Sequence, residues 1–466
     1  MFKVISYKKM KFYGLRDLDN IPQLQGLSDD QRFAIKVVSS VLPFRVNNYV
    51  IEELIDWSNI PEDPIFQLTF MQKEMLSDDQ FRRMALALSN NHTLEEIQST
   101  AEDIRLELNP HPAGQMTLNV PMMFDEPVRG VQHKYRETVL IFPSSGQTCH
   151  TYCTFCFRWA QFIGNNDLKF ATDESKGFQD YLMTSKGVTD VLLTGGDPMI
   201  MSARNLAAYI EPLLEPEFDH IRNIRIGTKS VAYWPYKFVT DKDADDTLRL
   251  FERVVNSGKH LAIMGHYNHW KELSTDVAQE AIRRIRNTGA QIRTQSPLVK
   301  NVNDSPDVWA RMWKEQVKLG CIPYYFFVER NTGAKNYFSI PLYRTYQIYR
   351  EAYQELSGLS RTVRGPSMSA LPGKVSIEGI TQVNGEKVFV LTLLQARNPE
   401  WVKRPFFAKY NEKATWITDL RPAFGKDKFF YQDELNQMIR ENDGQFYFNR
   451  EEDFEIIENT AFDADE

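Results

Sequence analysis

Three of the four cysteines in this 466-residue chain fall within eight residues, at Cys149, Cys153 and Cys156. Closely spaced thiolates are soft ligands that suit iron–sulfur clusters or zinc. Three cysteines leave one iron of a cubane cluster open, and a metal that binds a substrate needs such an open position. A structural zinc commonly takes four ligands from two paired motifs. Cys321 is too distant in sequence to make a pair, and the spacing of His150 fits poorly, so the pattern favours iron–sulfur and leaves zinc as the alternative.

The composition argues against several other classes of protein. Hydrophobic residues make up 42% of the chain and charged residues 25%, which is typical of a soluble globular protein. A net charge of −7 argues against nucleic acid or an anionic membrane as the main partner. No apolar run is long enough to span a bilayer, and the N-terminal residues lack the apolar segment of a secretory signal. We therefore expect a cytoplasmic protein.

Changes in residue pattern divide the chain into three predicted regions that must position the cysteines. Residues 1–132 contain three capping boxes and are predicted to be mainly helical. In residues 133–375, short β-branched runs alternate with amphipathic stretches, which indicates parallel βα units. Residues 376–466 are predicted to form a small C-terminal extension that contains β structure, with a hairpin turn at Asn384-Gly385. The capping boxes are Ser28–Gln31, Ser77–Gln80 and Thr93–Glu96.

The middle region predicts an α/β fold, a partial (β/α)6 barrel, in which the chemistry lies at the C-terminal ends of the strands. Polar residues follow the strands as this fold requires: Cys149 comes after the first strand and His266 after the fourth. The predicted strands are Thr138–Phe142, Val188–Thr194, Ile224–Thr228, His260–Gly265, Ala290–Gln295 and Ile322–Val328. The predicted helices are Glu174–Thr184, Ala203–Leu214, Ala244–Asn256, Ser274–Asn287 and Pro306–Leu319.

The spacing Cys-x3-Cys-x2-Cys, with Phe155 before the last cysteine, resembles the signature of radical S-adenosylmethionine (SAM) enzymes. Within that superfamily the chain resembles lysine 2,3-aminomutase and its relatives from about Pro61 to Lys374. The resemblance implies a radical SAM barrel and a [4Fe–4S] cluster whose open iron binds SAM. It also implies an electron donor such as flavodoxin or ferredoxin, and a radical that takes hydrogen from a small-molecule amino acid substrate. The matching segments include His133-Lys-Tyr135, Leu193–Pro198, Arg225–Thr228, His266–His269, Gln295-Ser296, Val302–Asp304 and Pro323–Tyr325.

The resemblance also implies which residues bind SAM. The segment Gly195-Gly196-Asp197 follows the second strand and would hold the amino group of SAM, although the same residues are common in plain turns. His266 and Gln295 would lie near the adenosine, and each could otherwise be an ordinary polar residue at a barrel rim. Phe155 is assigned to the cofactor site on the same grounds.

Two further residues match a substrate site and a pyridoxal phosphate (PLP) site of the family. Arg158 matches the arginine that grips the α-carboxylate of the substrate, a role that suits a guanidinium fork. Lys374 matches the lysine that attaches PLP covalently. The plainer alternatives are a structural arginine and a surface lysine. The family's glycine-rich run is replaced here by residues 365–373, and Thr138 stands where an arginine near the PLP phosphate is usual. Arg136 and Lys134 are candidate substitutes.

Two arginines predict a change of substrate. Lysine-specific members carry aspartates at the positions of Arg330 and Arg364, where they bind the distant ammonium of lysine. Arginines would repel an ammonium and attract a carboxylate. A shift of one residue would place the acidic Glu329 there instead. We therefore expect an acidic amino acid such as glutamate rather than lysine.

These observations together predict a 2,3-aminomutase that uses a [4Fe–4S] cluster, SAM and PLP. Two alternatives stay open. One is a radical SAM enzyme of another reaction type that works without PLP, and the other is a zinc-stabilised binding protein with no catalytic activity. The relatives are oligomeric, which makes a homo-oligomer possible.

Overall fold

The computed structural model describes residues 5–90, 92–164, 170–173 and 175–441. Its strands are β1 Phe12–Gly14, β2 Arg45–Asn47, β3 Met122–Met123, β4 Glu126–Pro127, β5 Val131–Tyr135, β6 Thr138–Ile141, β7 Asp190–Leu193, β8 Asn223–Thr228, β9 His260–His266, β10 Gln291–Leu298, β11 Ile322–Val328, β12 Arg364–Ser369, β13 Gly373–Val383, β14 Glu386–Ala396 and β15 Phe406–Lys409. Its α-helices are α1 Asp29–Val41, α2 Pro64–Thr69, α3 Asp78–Ser89, α4 Leu94–Glu107, α5 Lys176–Thr184, α6 Ala203–Ile210, α7 Ser230–Tyr233, α8 Ala244–Asn256, α9 Asp276–Asn287, α10 Pro306–Lys318, α11 Lys335–Phe338, α12 Leu342–Gln354 and α13 Gln432–Glu441. Among the described helices, none is long and apolar enough to cross a membrane.

The N-terminal region contains helices α1 to α4 and the short strands β1 to β4, and the three predicted capping boxes begin α1, α3 and α4. In the first box the Ser28 hydroxyl accepts a hydrogen bond from the Gln31 amide at 3.2 Å, and the Gln31 side chain accepts one from the Ser28 amide at 3.0 Å. The boxes of α3 and α4 have the same reciprocal bonds. Each box satisfies amides that would otherwise lack partners at the start of a helix.

The six predicted barrel strands are confirmed as β6 to β11, all parallel, with helices between them. Each strand is largely buried, because helices on the outside and side chains on the inside cover both faces. The predicted helices are also present. Glu174, with which the first of them was predicted to begin, lies outside the described residues. The α/β partial barrel is therefore the fold of the central part of the chain.

The sheet extends beyond the six strands at both ends. Within the described residues, β5 to β15 form one sheet in chain order, and β5 and β13 to β15 are added as antiparallel strands. The predicted hairpin turn joins β13 to β14, with positive φ angles of 50° at Asn384 and 81° at Gly385. At the far side β14 contacts β5, so the sheet curls until its two ends meet. Residues 442–466 of the predicted extension lie outside the described part of the chain.

Two main apolar cores hold this arrangement, beside a small cluster of Met116, Phe142 and Phe170. The larger joins the N-terminal helices to the barrel, and fully buried tryptophans such as Trp234 and Trp309 belong to it. The smaller lies around the C-terminal hairpin and contains Phe389, Trp401 and Leu435. Burial of this apolar surface stabilises the hairpin against the barrel, and that contact fixes the residues that β14 presents to the interior.

Candidate active site

Cys149, Cys153 and Cys156 lie in the loop that follows β6, and all three are free thiols in partly buried positions. Burial raises the pKa of Cys153 to about 11 and that of Cys156 to about 12. Burial also raises the pKa of Cys149 well above its usual value, and Asp197 and the two other cysteines raise it further. The three sulfurs are therefore close enough to repel one another as thiolates. A bound metal would supply the positive charge that favours the thiolate form.

The donor set fits an iron–sulfur cluster, because the three free cysteines of one loop can each bind a different iron of a cubane. In the part of the chain that the structure describes, no three His, Cys, Asp or Glu side chains are grouped as ligands of a single ion. Nδ1 of His150 is hydrogen-bonded to the Ser230 hydroxyl at 2.8 Å, and its ring stacks on Trp234.

The N-terminal region holds the cysteine loop in place through backbone contacts. The Thr154 amide donates to the Leu68 carbonyl at 3.0 Å, and its hydroxyl donates to the Gln67 carbonyl at 2.7 Å. The Tyr152 amide donates to the Arg45 carbonyl at 2.9 Å. The helical region therefore positions the cysteines directly.

The predicted Gly195-Gly196 pair lets the loop after β7 lie flush against the cysteine loop. A Cβ on Gly196 would lie 2.4 Å from the Thr148 carbonyl oxygen, and one on Gly195 would lie 2.0 Å from the Gln147 side-chain nitrogen. Both distances are far below van der Waals contact, so only glycine fits without displacing these atoms. The pair is therefore required for packing against the segment that leads into Cys149.

The Asp197 carboxylate ties three loops together at the carboxyl ends of the strands. It accepts hydrogen bonds from the Thr228 hydroxyl at 2.7 Å, the Ser230 hydroxyl at 2.9 Å and the Lys229 amide at 2.9 Å. Its own amide donates to the Thr148 carbonyl at 2.8 Å. These contacts make Asp197 a positioning residue whose acceptor capacity is largely used by the protein.

Two buried polar atoms next to this region lack partners among the described residues. One is Oε1 of Gln147, two residues before Cys149, and the other is Nε2 of His266. Unpaired buried polar atoms are rare in folded proteins and mark places where a ligand can bind. The Phe155 ring lies 5.8 Å from the His266 ring, and Gln295 pairs with His266 across β10 and β9. These atoms fit a polar ligand such as SAM. Sequence reasoning missed Gln147, although its nearness to Cys149 was a usable signal.

Lys374 lies at the start of β13, opposite Ser369 of β12. Its Nζ donates to Oε1 of Gln395 at 3.1 Å, and no carboxylate in the described part of the chain pairs with it. Burial, followed by the positive charges of Arg225, Arg364 and Arg330, lowers the pKa of Lys374 to about 7. A large fraction of the amine is therefore unprotonated near neutral pH, as a nucleophile toward a carbonyl must be. Lys374 thus has the properties required for covalent attachment of PLP.

The predicted substrate arginines occupy different positions. The guanidinium groups of Arg158 and Arg330 lie 5.0 and 4.6 Å from the centre of the same ring, that of Phe157. Burial, followed by the charge of Arg330, lowers the pKa of Arg158 to about 9. Arg364 is exposed and lies 4.5 Å above the Tyr325 ring. The structure therefore brings Arg158 and Arg330 together and leaves Arg364 nearer to solvent.

Glu329 does not offset the positive charge of Arg330. Its side chain is buried, and burial raises its pKa well above the usual value, which favours the uncharged form. The nearby charge that lowers this pKa is Lys335, not Arg330. Arg330, together with Arg225 and Arg364, places positive charge near Lys374, and Glu329 does not.

Comparison with known proteins places this geometry in a family. No family model matches the chain. An Aquifex aeolicus protein named "Putative L-lysine 2,3-aminomutase" is 30% identical over 414 residues, 88% of this chain and 95% of that protein. The L-lysine 2,3-aminomutase of Methanococcus maripaludis is 24% identical over 324 residues, 69% of this chain and 63% of the enzyme. The L-lysine 2,3-aminomutase of Clostridium subterminale is 28% identical over 242 residues, 51% of this chain and 53% of the enzyme.

Among solved structures, a radical SAM methyltransferase from Sphaerobacter thermophilus matches with a TM-score of 0.36 and 14% identity. The match covers 50% of this chain and 68% of that one. The barrel and the cysteine loop described above define the class as radical SAM enzymes. The chain belongs to the lysine 2,3-aminomutase family of that class.

Proposed function

We propose that this protein is a radical SAM 2,3-aminomutase that moves the α-amino group of an acidic amino acid, such as glutamate, to the β-carbon. The observation that carries the proposal is Lys374, a partly buried amine with a pKa of about 7 that lies among positive charges. An amine of this kind has little use as a structural cation, because burial disfavours its charge. It is suited to attach PLP, and membership of the family supports that use.

The chain's own residues would divide the work as follows. Cys149, Cys153 and Cys156 would hold a [4Fe–4S] cluster, reduced by a donor such as flavodoxin or ferredoxin. When bound, the cluster and SAM supply a 5′-deoxyadenosyl radical, and PLP stabilises the radical through which nitrogen migrates. Arg158 would bind the α-carboxylate with its guanidinium fork.

The SAM site would use the atoms that the structure leaves without partners. Oε1 of Gln147 is a buried acceptor that could take a hydrogen bond from the amino group of SAM, next to the Gly195-Gly196 pair. His266 and Gln295 would contact the adenosine from adjacent strands. Asp197 would act by holding the surrounding loops in register.

The preference for an acidic side chain rests on charge. Nη1 of Arg330 is buried and has no partner among the described residues. Nη2 of the same side chain donates to the Ser369 carbonyl at 3.3 Å, which fixes the direction of the guanidinium. A substrate carboxylate would supply both a hydrogen-bond acceptor and a compensating charge, whereas the ammonium of lysine would supply neither. Arg364 would add positive charge from the solvent side.

A second candidate is a radical SAM reaction without PLP. It is favoured by the segment 365–373, where the family's glycine-rich run is replaced by strand β12 and a tight turn. In this case Lys374 and Arg330 would contact an anionic substrate directly.

The test is anaerobic borohydride reduction of protein reconstituted with iron, sulfide and PLP, followed by peptide mass mapping. We expect a pyridoxyl adduct on Lys374 that is absent in Lys374→Ala, whereas Lys413→Ala, a change at an exposed lysine, leaves it intact. No adduct on Lys374, with the cluster formed and SAM still cleaved, would favour the second candidate. A substrate panel led by glutamate would follow, and faster turnover of lysine than of glutamate would refute the acidic preference.

A further inference from the structure

Three consecutive backbone carbonyls in the turn 369–371 each accept a hydrogen bond from a different cationic side chain. Nη2 of Arg330 donates to the first at 3.3 Å, Nζ of Lys134 to the second, and Nε of Arg397 to the third at 2.9 Å. The turn carries the chain from β12 into β13, where Lys374 lies. Lys134 comes from β5, and Arg397 follows β14 directly. This group of cations therefore forms where the two ends of the sheet meet.

The surroundings of this group disfavour its positive charge unless an anion binds there. Burial lowers the pKa of Lys134 well below its usual value, and Arg397, Arg330 and Lys374 lower it further. Burial lowers the pKa of Arg397 to about 10. No ion pair joins Lys134, Arg330 or Arg397 to a carboxylate in the described part of the chain, and each of their bonds described above ends on a neutral oxygen. Partly buried charges without counter-charges are unfavourable, and a bound anion would remove this penalty.

Lys134 and Arg397 also keep donors for such an anion. An ammonium has three N–H donors, and the bond to Ala370 uses one of those of Lys134. Arg397 is held by Leu371, by the Leu118 carbonyl at 3.2 Å and by Oδ1 of Asn119 at 2.6 Å. These bonds use three of its five N–H donors and fix the plane of the guanidinium. The pair therefore offers a point charge and a rigid fork side by side.

We propose that Lys134 and Arg397 form a subsite for the phosphate dianion of a ligand bound at Lys374. A dianion neutralises two charges, and its several oxygens can accept from both side chains, which a single carboxylate does less completely. Arg136, the other candidate from the sequence, is exposed and paired with Glu137 at 3.0 Å. The subsite rests on the proposed function, because it takes the ligand at Lys374 to be PLP.

The test compares PLP with pyridoxal, which lacks the phosphate, by equilibrium titration of the full-length protein. We expect the wild type to bind PLP much more tightly than pyridoxal. Lys134→Gln and Arg397→Gln should each raise the Kd for PLP about 10- to 100-fold, which is the effect of losing one or two charge-assisted hydrogen bonds. The Kd of each variant for pyridoxal should stay within about threefold of the wild-type value. Lys413→Gln is the matched control, because it removes the same charge at an exposed position, and it should change the Kd for neither ligand.

Loop disruption is the main rival explanation for an effect of Arg397→Gln, because Arg397 also holds two loops. Arg397→Lys keeps the charge, and it should recover part of the preference for PLP if the subsite is electrostatic. The proposal would be overturned if the variants lost affinity for PLP and for pyridoxal by the same factor. The proposal would also be overturned if the variants bound glutamate less tightly while the ratio of the Kd values for PLP and pyridoxal stayed unchanged. Lys134 and Arg397 would then bind a substrate carboxylate and not a phosphate.

Inorganic phosphate separates the subsite from the proposed function. If neither PLP nor pyridoxal labels Lys374 in the wild type, the proposed function fails. The subsite then survives only if inorganic phosphate raises the melting temperature of the wild type and not that of Lys134→Gln. An equal effect of phosphate on both proteins overturns it.

Discussion

The Nζ atom of Lys374 lies 4.1 Å from the centre of the Tyr325 ring, which is buried in strand β11. The face of an aromatic ring attracts cations, so this contact favours the protonated amine, while burial and the surrounding arginines favour the neutral one. Burial and the charges of Arg225, Arg364 and Arg330 lower the pKa of Lys374 to about 7. Tyr325 therefore favours the charged form of an amine whose other surroundings favour the neutral form.

The first prediction concerns stability and pH. The pKa of Lys374 is lower in the folded chain than its usual 10.5, so between pH 7 and 10 the unfolded chain binds more protons. The charge therefore destabilises the folded apoprotein most below pH 7, and this effect fades as pH rises. Lys374→Met should be more stable than wild type at pH 6.5 by about 2 kcal/mol, a value reduced for partial solvent exposure. The gain should shrink toward pH 10 in urea denaturation, and Lys413→Met should show none. A constant gain at all pH values would contradict this.

The second prediction concerns the cysteine loop. Gly196→Ala places a Cβ 2.4 Å from the Thr148 carbonyl oxygen, so the loop that bears Cys149 must shift. We expect the free energy of unfolding to fall by about 1–3 kcal/mol, and iron loading after anaerobic reconstitution to be incomplete. The control is Gly177→Ala in α5, where a Cβ would meet nothing within 4 Å. That change should raise stability slightly, because alanine favours a helix. Normal iron content in Gly196→Ala would show that the loop tolerates the shift.

The third prediction concerns the reduction potential of the cluster. The Tyr233 hydroxyl lies 3.9 Å from Sγ of Cys153, within reach of a weak hydrogen bond to a cluster thiolate. Such bonds favour the more negative, reduced cluster. Tyr233→Phe should therefore lower the midpoint potential in a redox titration followed by electron paramagnetic resonance. Tyr236→Phe, which removes a hydroxyl bonded to Glu53 instead, should leave the potential unchanged. An equal shift in both variants would point to a general packing effect.

The fourth prediction concerns substrate selection. Arg330→Gln removes the charge that lies beside Lys374 and keeps a side chain able to donate to the Ser369 carbonyl. We expect kcat/KM for glutamate to fall about 30- to 100-fold, and that for a neutral amino acid to fall far less. Arg361→Gln, at an exposed position, serves as the control. If kcat/KM fell by the same factor for both substrates, Arg330 would have a structural role and would not select the substrate.

The barrel could be predicted from sequence because each of its six strands is a local run of apolar, β-branched residues between helices. Strand β12 could not. Its residues, Arg364–Ser369, carry no apolar alternation, and they form a strand because β11 and β13 pair with them on either side.

Some residues of the candidate site could likewise be predicted from local sequence, and others could not. The cysteines, the Gly-Gly pair and Lys374 are visible in local motifs. Counting from the two-residue turn at Asn384-Gly385 places Gln395 opposite Lys374, because the two register shifts in between, at Ile377/Gly379 and Lys374/Val375, cancel. Arg397 and Lys134 carry no such signal. They meet only because the sheet curls until β14 contacts β5, which is a property of the whole fold.

The meeting of β5 and β14 also sets an order of events during synthesis. The backbone carbonyls that hold the cysteine loop belong to Arg45, Gln67 and Leu68 of the N-terminal region, whereas Gln395 and Arg397 leave the ribosome much later. The iron-binding loop can therefore take shape while the barrel is still open on the side that β14 will cover. The C-terminal hairpin is translated afterwards, and it closes that side when β14 comes against β5.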